Sequence, residues 1–197
     1  MKRPSAELLI SAYAQGIFPM AHSDHGDDIY WYAPDPRAIL PLDQFHAPRR
    51  LRQRVRAEEF EIRYSTCFER VMEACAAPRE SEPTTWISSG LIDAYVDLHR
   101  LGLAHSVEAW QDDELVGGLY GVSIGGLFAG ESMFSKASNS SKVCLVHLVE
   151  RMKERGMVLL DIQFMTEHLR RFGAIEIPRE EYEERVREAI GMECSFL

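Results

Sequence analysis

Cysteine is scarce in this sequence and carries no metal-type or redox-type spacing. Cys67, Cys75, Cys144 and Cys194 form no C-x-x-C pair, so they read as reduced thiols of a cytosolic protein, not a disulfide frame. Long apolar runs are missing as well, none nearing the roughly 18 residues that span a bilayer. The amino terminus imitates a secretion signal, with Lys2-Arg3, an apolar Leu8 to Ala14 and a small-residue end at Ala12-Tyr13-Ala14. Glu7 interrupts that stretch and Ala6 to Gln15 reads as a capped helix, so a helix is expected there. Phosphate loops of the G-x-x-x-x-G-K-[ST] and G-x-G-x-x-G types are absent, as is H-E-x-x-H. His22 and His25 among Asp24, Asp27 and Asp28 read as a polar loop, and no metal is expected. Arg170 to Ile175 falls short of an acetyl-CoA phosphate loop, because Ile175 stands where Gly or Ala must admit the pyrophosphate.

Acidic residues outnumber basic ones by 31 to 22, a net charge of −9 that argues against non-specific polyanion binding. The charge is nevertheless uneven. Ala47 to Arg56 (APRRLRQRVR) holds five arginines and no acid, whereas Glu180 to Glu193 holds six glutamates against two arginines. Fields are screened within about 8–10 Å at physiological salt, so a local basic patch can meet nucleic acid despite an acidic total. The competing reading is a solvated amphipathic helix with Leu51 and Val55 facing the core.

Apolar residues make up 46% of the 197 and charged residues 27%, the proportions of an ordinary globular protein with a substantial core. Ser5 to Gln15 predicts a helix ended by Gly16. Ile29 to Pro41 predicts two extended pieces broken at Pro34-Asp35-Pro36. Ala47 to Glu58 reads as helix, Phe60 to Ser65 as strand and Thr66 to Ala76 as helix. Ala77 to Thr85 is linker-like, and a boundary is placed there, leaving residues 1–76 and 77–197 as two units with a soft border over 77–88. A helix capped by Ser88-Ser89 runs to Arg100. A hairpin series follows over His105 to Phe134, then a helix from Lys142 to Arg155, a strand over Met157 to Phe164, and helices at His168 to Phe172 and Arg179 to Ile190. This order fits an α+β protein with a mixed sheet.

Two places put polar groups where apolar ones belong. Glu131 interrupts the strand-like GGLFAGESMF, and a carboxylate there either meets solvent at a strand end or waits in a cleft for a cation. Six of thirteen glycines fall between Gly117 and Gly130, which points to bulges or to close approach of a ligand. Asp161 and Gln163 are two apart in an apolar strand and share one face, with Leu160 and Ile162 on the other. They mark either an exposed strand end or a site.

Several motifs occur in register: Ala12-Tyr13-x-x-Gly16-Ile17-Phe18-Pro19, Trp31-x-x-Pro34-Asp35-Pro36-Arg37-Ala38 and Thr85-Trp86-Ile87. Leu98-His99-x-x-Gly102-x-Ala104-His105-Ser106-x-Glu108-x-Trp110 and Leu115-Val116-Gly117-Gly118-x-Tyr120-Gly121 continue the series. The most specific is Phe128-x-Gly130-Glu131-Ser132-Met133-Phe134-Ser135-x-x-x-Asn139-x-Ser141-Lys142. From about Leu8 to Val186 the chain resembles the leucyl/phenylalanyl-tRNA–protein transferase family. The resemblance implies a small N-terminal α/β domain and a C-terminal acetyltransferase-like (GNAT) domain with a mixed, mostly antiparallel sheet. It implies transfer of leucine, phenylalanine or methionine from Leu-tRNA, Phe-tRNA or a like donor to the N-terminal Lys or Arg of a protein, marking it for degradation.

By that resemblance Gln163 positions the reacting amine or carbonyl, Asp161 orients Gln163, and Glu131 receives the acceptor's cationic group. Leu119, Met133, Leu145, Leu148, Met152 and Leu160 line the amino-acid pocket, and Trp31 or Tyr32 with Trp86 stacks on the terminal adenosine. Arg49, Arg50, Arg52 and Arg54 meet the tRNA. No cofactor and no membrane partner are implied, and a cytoplasmic monomer is expected. Two alternatives stand beside this reading: a related transferase with another amine acceptor, and a non-catalytic module that binds basic N-termini.

Overall fold

The computed structural model describes residues 3–22, 28–78 and 84–197. His25, Asp24 and Asp27 of the polar loop, and part of the linker-like stretch, lie outside them. Ser5 caps the first helix, α1 (Ala6–Tyr13), by accepting the Leu8 N–H at 3.3 Å. Gly16 follows at φ +74°. β1 (Phe18–His22) and β2 (Asp28–Tyr32) form a hairpin with Phe18 opposite Tyr32. β3 (Arg37–Ile39), α2 (Arg49–Arg56), β4 (Glu61–Tyr64) and α3 (Phe68–Ala76) complete the first half.

The second half runs α4 (Ser89–Arg100), β5 (Ala104–Gln111), β6 (Glu114–Ile124), β7 (Leu127–Ser135) and α5 (Ser140–Glu154). It then continues with β8 (Leu159–Gln163), α6 (Glu167–Arg170), β9 (Ile175–Ile177) and α7 (Arg179–Ile190). Seven strands share one sheet in the order β4-β5-β6-β7-β8-β3-β9. Only the β7–β8 pair is parallel among these neighbours. β3 and β4 come from before residue 77, so both sides of the expected boundary contribute strands to this sheet.

The sheet separates two apolar layers. Phe68, Val71, Leu91 and Tyr95 of α3 and α4 pack with Tyr120 and Val122 on one face. Leu145, Leu148 and Met152 of α5 pack with Val107, Leu119 and Leu160 on the other. Strand alternation sends Leu119 and Tyr120 to opposite faces, which is why one strand feeds both layers. α7 covers the β8–β3 side with Tyr182, Val186 and Ala189 against Ile39 and Leu159.

The long, periodic segments appear where the pattern predicts them. β1 and β9 do not follow from it: Pro19 weakens β1 as a strand signal, and β9 has three residues held by pairing with β3 alone. Glu108 is fully buried on β5 and accepts the Thr66 and Cys67 N–H groups at 2.9 Å each, the Ser106 hydroxyl at 2.7 Å and the Trp110 indole at 3.2 Å. It thereby ties the turn before α3 to β5. Gly117 lets α5 close on β6, because a Cβ there would overlap Ser140.

Candidate active site

The parallel pairing of β7 with β8 registers Leu127, Phe128 and Ala129 against Leu159, Leu160 and Asp161. On the other edge of β7, Gly130 pairs with Gly121 and Ser132 with Tyr120, which leaves Glu131 as the extra residue of a β-bulge. A Cβ on Gly121 would overlap the Ala129 carbonyl, so the kink depends on glycine there. Beyond Ala129 and Asp161, the residues of the two strands line a cleft instead of pairing. Glu131 therefore interrupts an apolar strand because the bulge turns it into that cleft.

The cleft encloses about 530 Å³. Leu119, Met133, Leu145, Leu148, Leu160 and Ile162 form its apolar wall, and Glu131 and Gln163 stand at its head. A smaller cavity of about 70 Å³, bounded by Phe18, Met20 and Trp86, meets the same two polar residues from the β1 side. Phe164, 46% exposed, borders both cavities and packs edge-on against Phe18 at 5.6 Å.

Glu131 Oε1 accepts the Tyr13 hydroxyl at 2.7 Å and Gln163 Nε2–H at 3.0 Å, and Oε2 accepts the Tyr95 hydroxyl at 3.3 Å. The two tyrosine hydroxyls also bond each other. Burial pushes the Glu131 carboxyl up to about 8, the nearby Asp161 charge adds to the rise, and the tyrosine bonds and Arg37 oppose it. Tyr120 lies beside this group, fully buried, with a hydroxyl that makes no hydrogen bond among the described residues.

Asp161 is fully buried. Its Oδ1 accepts Arg37 Nε–H at 2.9 Å and the Gln163 main-chain N–H at 3.0 Å. Its Oδ2 accepts Arg37 Nη2–H at 2.7 Å and the Tyr182 hydroxyl at 2.8 Å. Arg37, 1% exposed, also donates Nη1–H to the Gly16 carbonyl at 2.9 Å and lies over the Phe18 and Tyr182 rings. Gln163 sits at φ +57°, and the Phe164 N–H closes a tight turn onto the Ile162 carbonyl at 2.7 Å. A left-handed backbone at a non-glycine residue persists only when its surroundings hold it, and Asp161 is the group that holds this one.

Of the residues singled out from sequence, the cleft gathers Glu131, Gln163, Leu119, Met133, Leu145, Leu148 and Leu160. Trp86 faces the smaller cavity with Glu131 and Gln163. Met152, one turn beyond Leu148, is fully buried in the core behind the wall. Trp31 sits 37% exposed on β2, opposite Pro19, and Tyr32 stacks on Phe18 at 6.0 Å; neither borders the two cavities. Asp161 touches Gln163 only through the backbone. Arg49, Arg50 and Arg52 are exposed on α2, and Arg54 bonds Glu59 and the Ser138 carbonyl. Sequence reasoning named Tyr13 and Arg37 within motifs but gave them no role, and Tyr95 carried no signal at all. Arg37 closes the Pro34-Asp35-Pro36-Arg37 motif, and its buried role had no local signal because its partner lies 124 residues away.

Comparison with known proteins adds a family assignment to this geometry. Residues 39–187 match the family model described as leucyl/phenylalanyl-tRNA protein transferase, and residues 3–35 match that of its N-terminal domain. A protein of Gloeobacter violaceus named leucyl/phenylalanyl-tRNA–protein transferase is 55% identical over 96% of both chains. One of Herpetosiphon aurantiacus with the same name is 56% identical over 99% of each. Among solved structures, L-PGS from Bacillus licheniformis is 18% identical over 84% of this chain with a TM-score of 0.45, and this chain spans 61% of its length. A GCN5-related N-acetyltransferase-like protein from Streptococcus suis is 14% identical over 87% of this chain and 64% of that one, with a TM-score of 0.40.

Proposed function

The chain belongs to the leucyl/phenylalanyl-tRNA protein transferase family, and we propose that its cleft moves leucine or phenylalanine from aminoacyl-tRNA onto the N-terminal Lys or Arg of a protein. The acceptor so marked enters degradation. The enzyme works as a cytoplasmic monomer, in the compartment where aminoacyl-tRNA is made.

The observation that carries this reading is the pairing of an apolar cavity with a polar head at one strand parting. A volume of about 530 Å³ accepts a Leu or Phe side chain with room for part of the backbone. An apolar wall discriminates a methylene by only about 1–3 kcal/mol, so one pocket serves both side chains. Met133 adds an adaptable surface.

The reaction joins an α-amine to an ester carbonyl. The amine, with an ordinary pKa near 7.7–8, must be neutral to attack. A C–N bond forms, the C–O bond to the ribose breaks, and the amine's proton ends on the departing ribose oxygen. Gln163 gives its N–H to Glu131, which leaves its amide oxygen to accept an N–H of the attacking amine. An amide is no base, so Gln163 aligns the amine. Glu131, with a carboxyl pushed up to about 8, exchanges a proton with an amine of similar pKa at little cost. Asp161 is a positioning residue: it fixes the turn at Gln163 and anchors Arg37. Holding amine and ester together supplies about 7–11 kcal/mol at best, the largest contribution such a site can make to an activated ester.

The test is transfer of labelled Phe from Phe-tRNA to a peptide beginning with Arg. Label on the peptide supports the reading. Peptide bound without label transfer supports a binding module, and transfer to other amines alone supports the related transferase.

A further inference from the structure

A third cavity, of about 400 Å³, lies beside the apolar cleft, and His168 borders both. Its walls come from three elements. α2 gives Arg50 and Arg54, the start of α5 gives Asn139 and Lys142, and α6 with the residue after it gives His168 and Arg171. Four full positive charges therefore face one small space, and no carboxylate is among the described residues that border it. Arg50 and Lys142 make no ion pair among the described residues. Arg54 keeps one link to Glu59, and Arg171 a loose one of 3.8 Å to Glu167.

Four converging cations balanced by only these two carboxylates repel one another, so the arrangement costs free energy in the empty protein. That cost is removed by an anion. The charge density, the guanidinium forks and the apolar cleft next door select a phosphodiester of RNA above a carboxylate. The acyl group in the cleft is carried by an RNA 3′ end, so the chain leaving the cleft brings a phosphodiester past His168. Resting on the proposed function, we propose that Arg50, Arg54, Lys142 and Arg171 form a subsite for a backbone phosphate next to the acyl-bearing nucleotide of the donor. The subsite adds Lys142 and Arg171, from outside the arginine helix, to the residues that meet the RNA. It reads backbone, not sequence, and fixes how deep the acyl group sits.

The experiment compares three donors with Lys142→Ala and Arg171→Ala: Phe-adenosine, which has no phosphodiester, Phe-CCA trinucleotide and Phe-tRNA. The expected result is a KM raised about tenfold per substitution for Phe-CCA and Phe-tRNA, with the KM for Phe-adenosine within twofold of the parent. The salt dependence of log KM for Phe-CCA should flatten by roughly 0.7 per cation removed. Equal losses with Phe-adenosine would overturn the subsite, since the residues would then shape the cleft itself. Unchanged KM on the phosphate-bearing donors would overturn it as well. A parent enzyme that transfers from none of the three donors would defeat the proposed function, a result distinct from either of these.

Discussion

Glu108 and Asp161 leave bulk water when the chain folds, Glu131 is half-buried at the head of the cleft, and their hydrogen-bond partners separate their roles. Glu108 accepts donors from Thr66, Cys67, Ser106 and Trp110 and ties β5 to α3. Asp161 is filled by Arg37, Tyr182 and the Gln163 backbone. Removing one partner of such a buried pair strands a charge, so Asp161→Ala should destabilise by about 3–5 kcal/mol. Adding Arg37→Met should recover most of that stability without recovering transfer; denaturant melts of the three variants check this. The fold pushes the Glu131 carboxyl up, from 4.5 to about 8. Its protonated form is favoured by the fold, so its contribution to stability is complete below about pH 4.5 and lost as pH rises to about 8. Glu131→Gln should therefore remove part of the fall in Tm between pH 5 and 8.5, gaining roughly 2–4 °C at the upper end while losing transfer. Tyr120→Phe deletes a buried hydroxyl that has no partner among the described residues, and thermal melts should show a gain of about 1 kcal/mol.

At the scale of elements, the strands, the bulge and α5 decide what the cleft accepts. Glycine richness between Gly117 and Gly130 was a legible sign of a bulge, and Glu131 was a legible anomaly in an apolar strand. The partners of Glu131 were not, since Tyr13 and Tyr95 reach it from α1 and α4, elements 118 and 36 residues away. The α5 wall followed from helical spacing at Leu145 and Leu148. One further turn brought Met152 into the core, because helix spacing gives a face but not where a cavity ends. Trp31 shows the opposite limit: a motif tryptophan reads the same whether hairpin pairing exposes it or buries it. Leu148→Ala should enlarge the wall and shift the Phe:Leu preference toward Phe by up to about tenfold in kcat/KM, measured by competing the two charged tRNAs.

For the molecule as a whole, charge and topology divide the labour. One sheet takes strands from both halves of the chain, so the reacting residues rest on a common frame while α2 presents its arginines at the rim. An acidic total of −9 coexists with that patch because screening keeps the two apart. Arg49→Ala with Arg52→Ala should weaken Phe-tRNA binding and reduce the salt slope by roughly 0.7–0.9 per arginine, read by titrating KM against salt.

The account stands on Gln163 aligning an amine against an ester at the head of the apolar cleft. Single-turnover transfer of Phe from saturating Phe-tRNA to an Arg-peptide, by the parent and by Gln163→Ala, addresses it most directly. The prediction is a rate lowered about 10²- to 10³-fold with donor binding unchanged. A variant that transfers at the parent rate would contradict it.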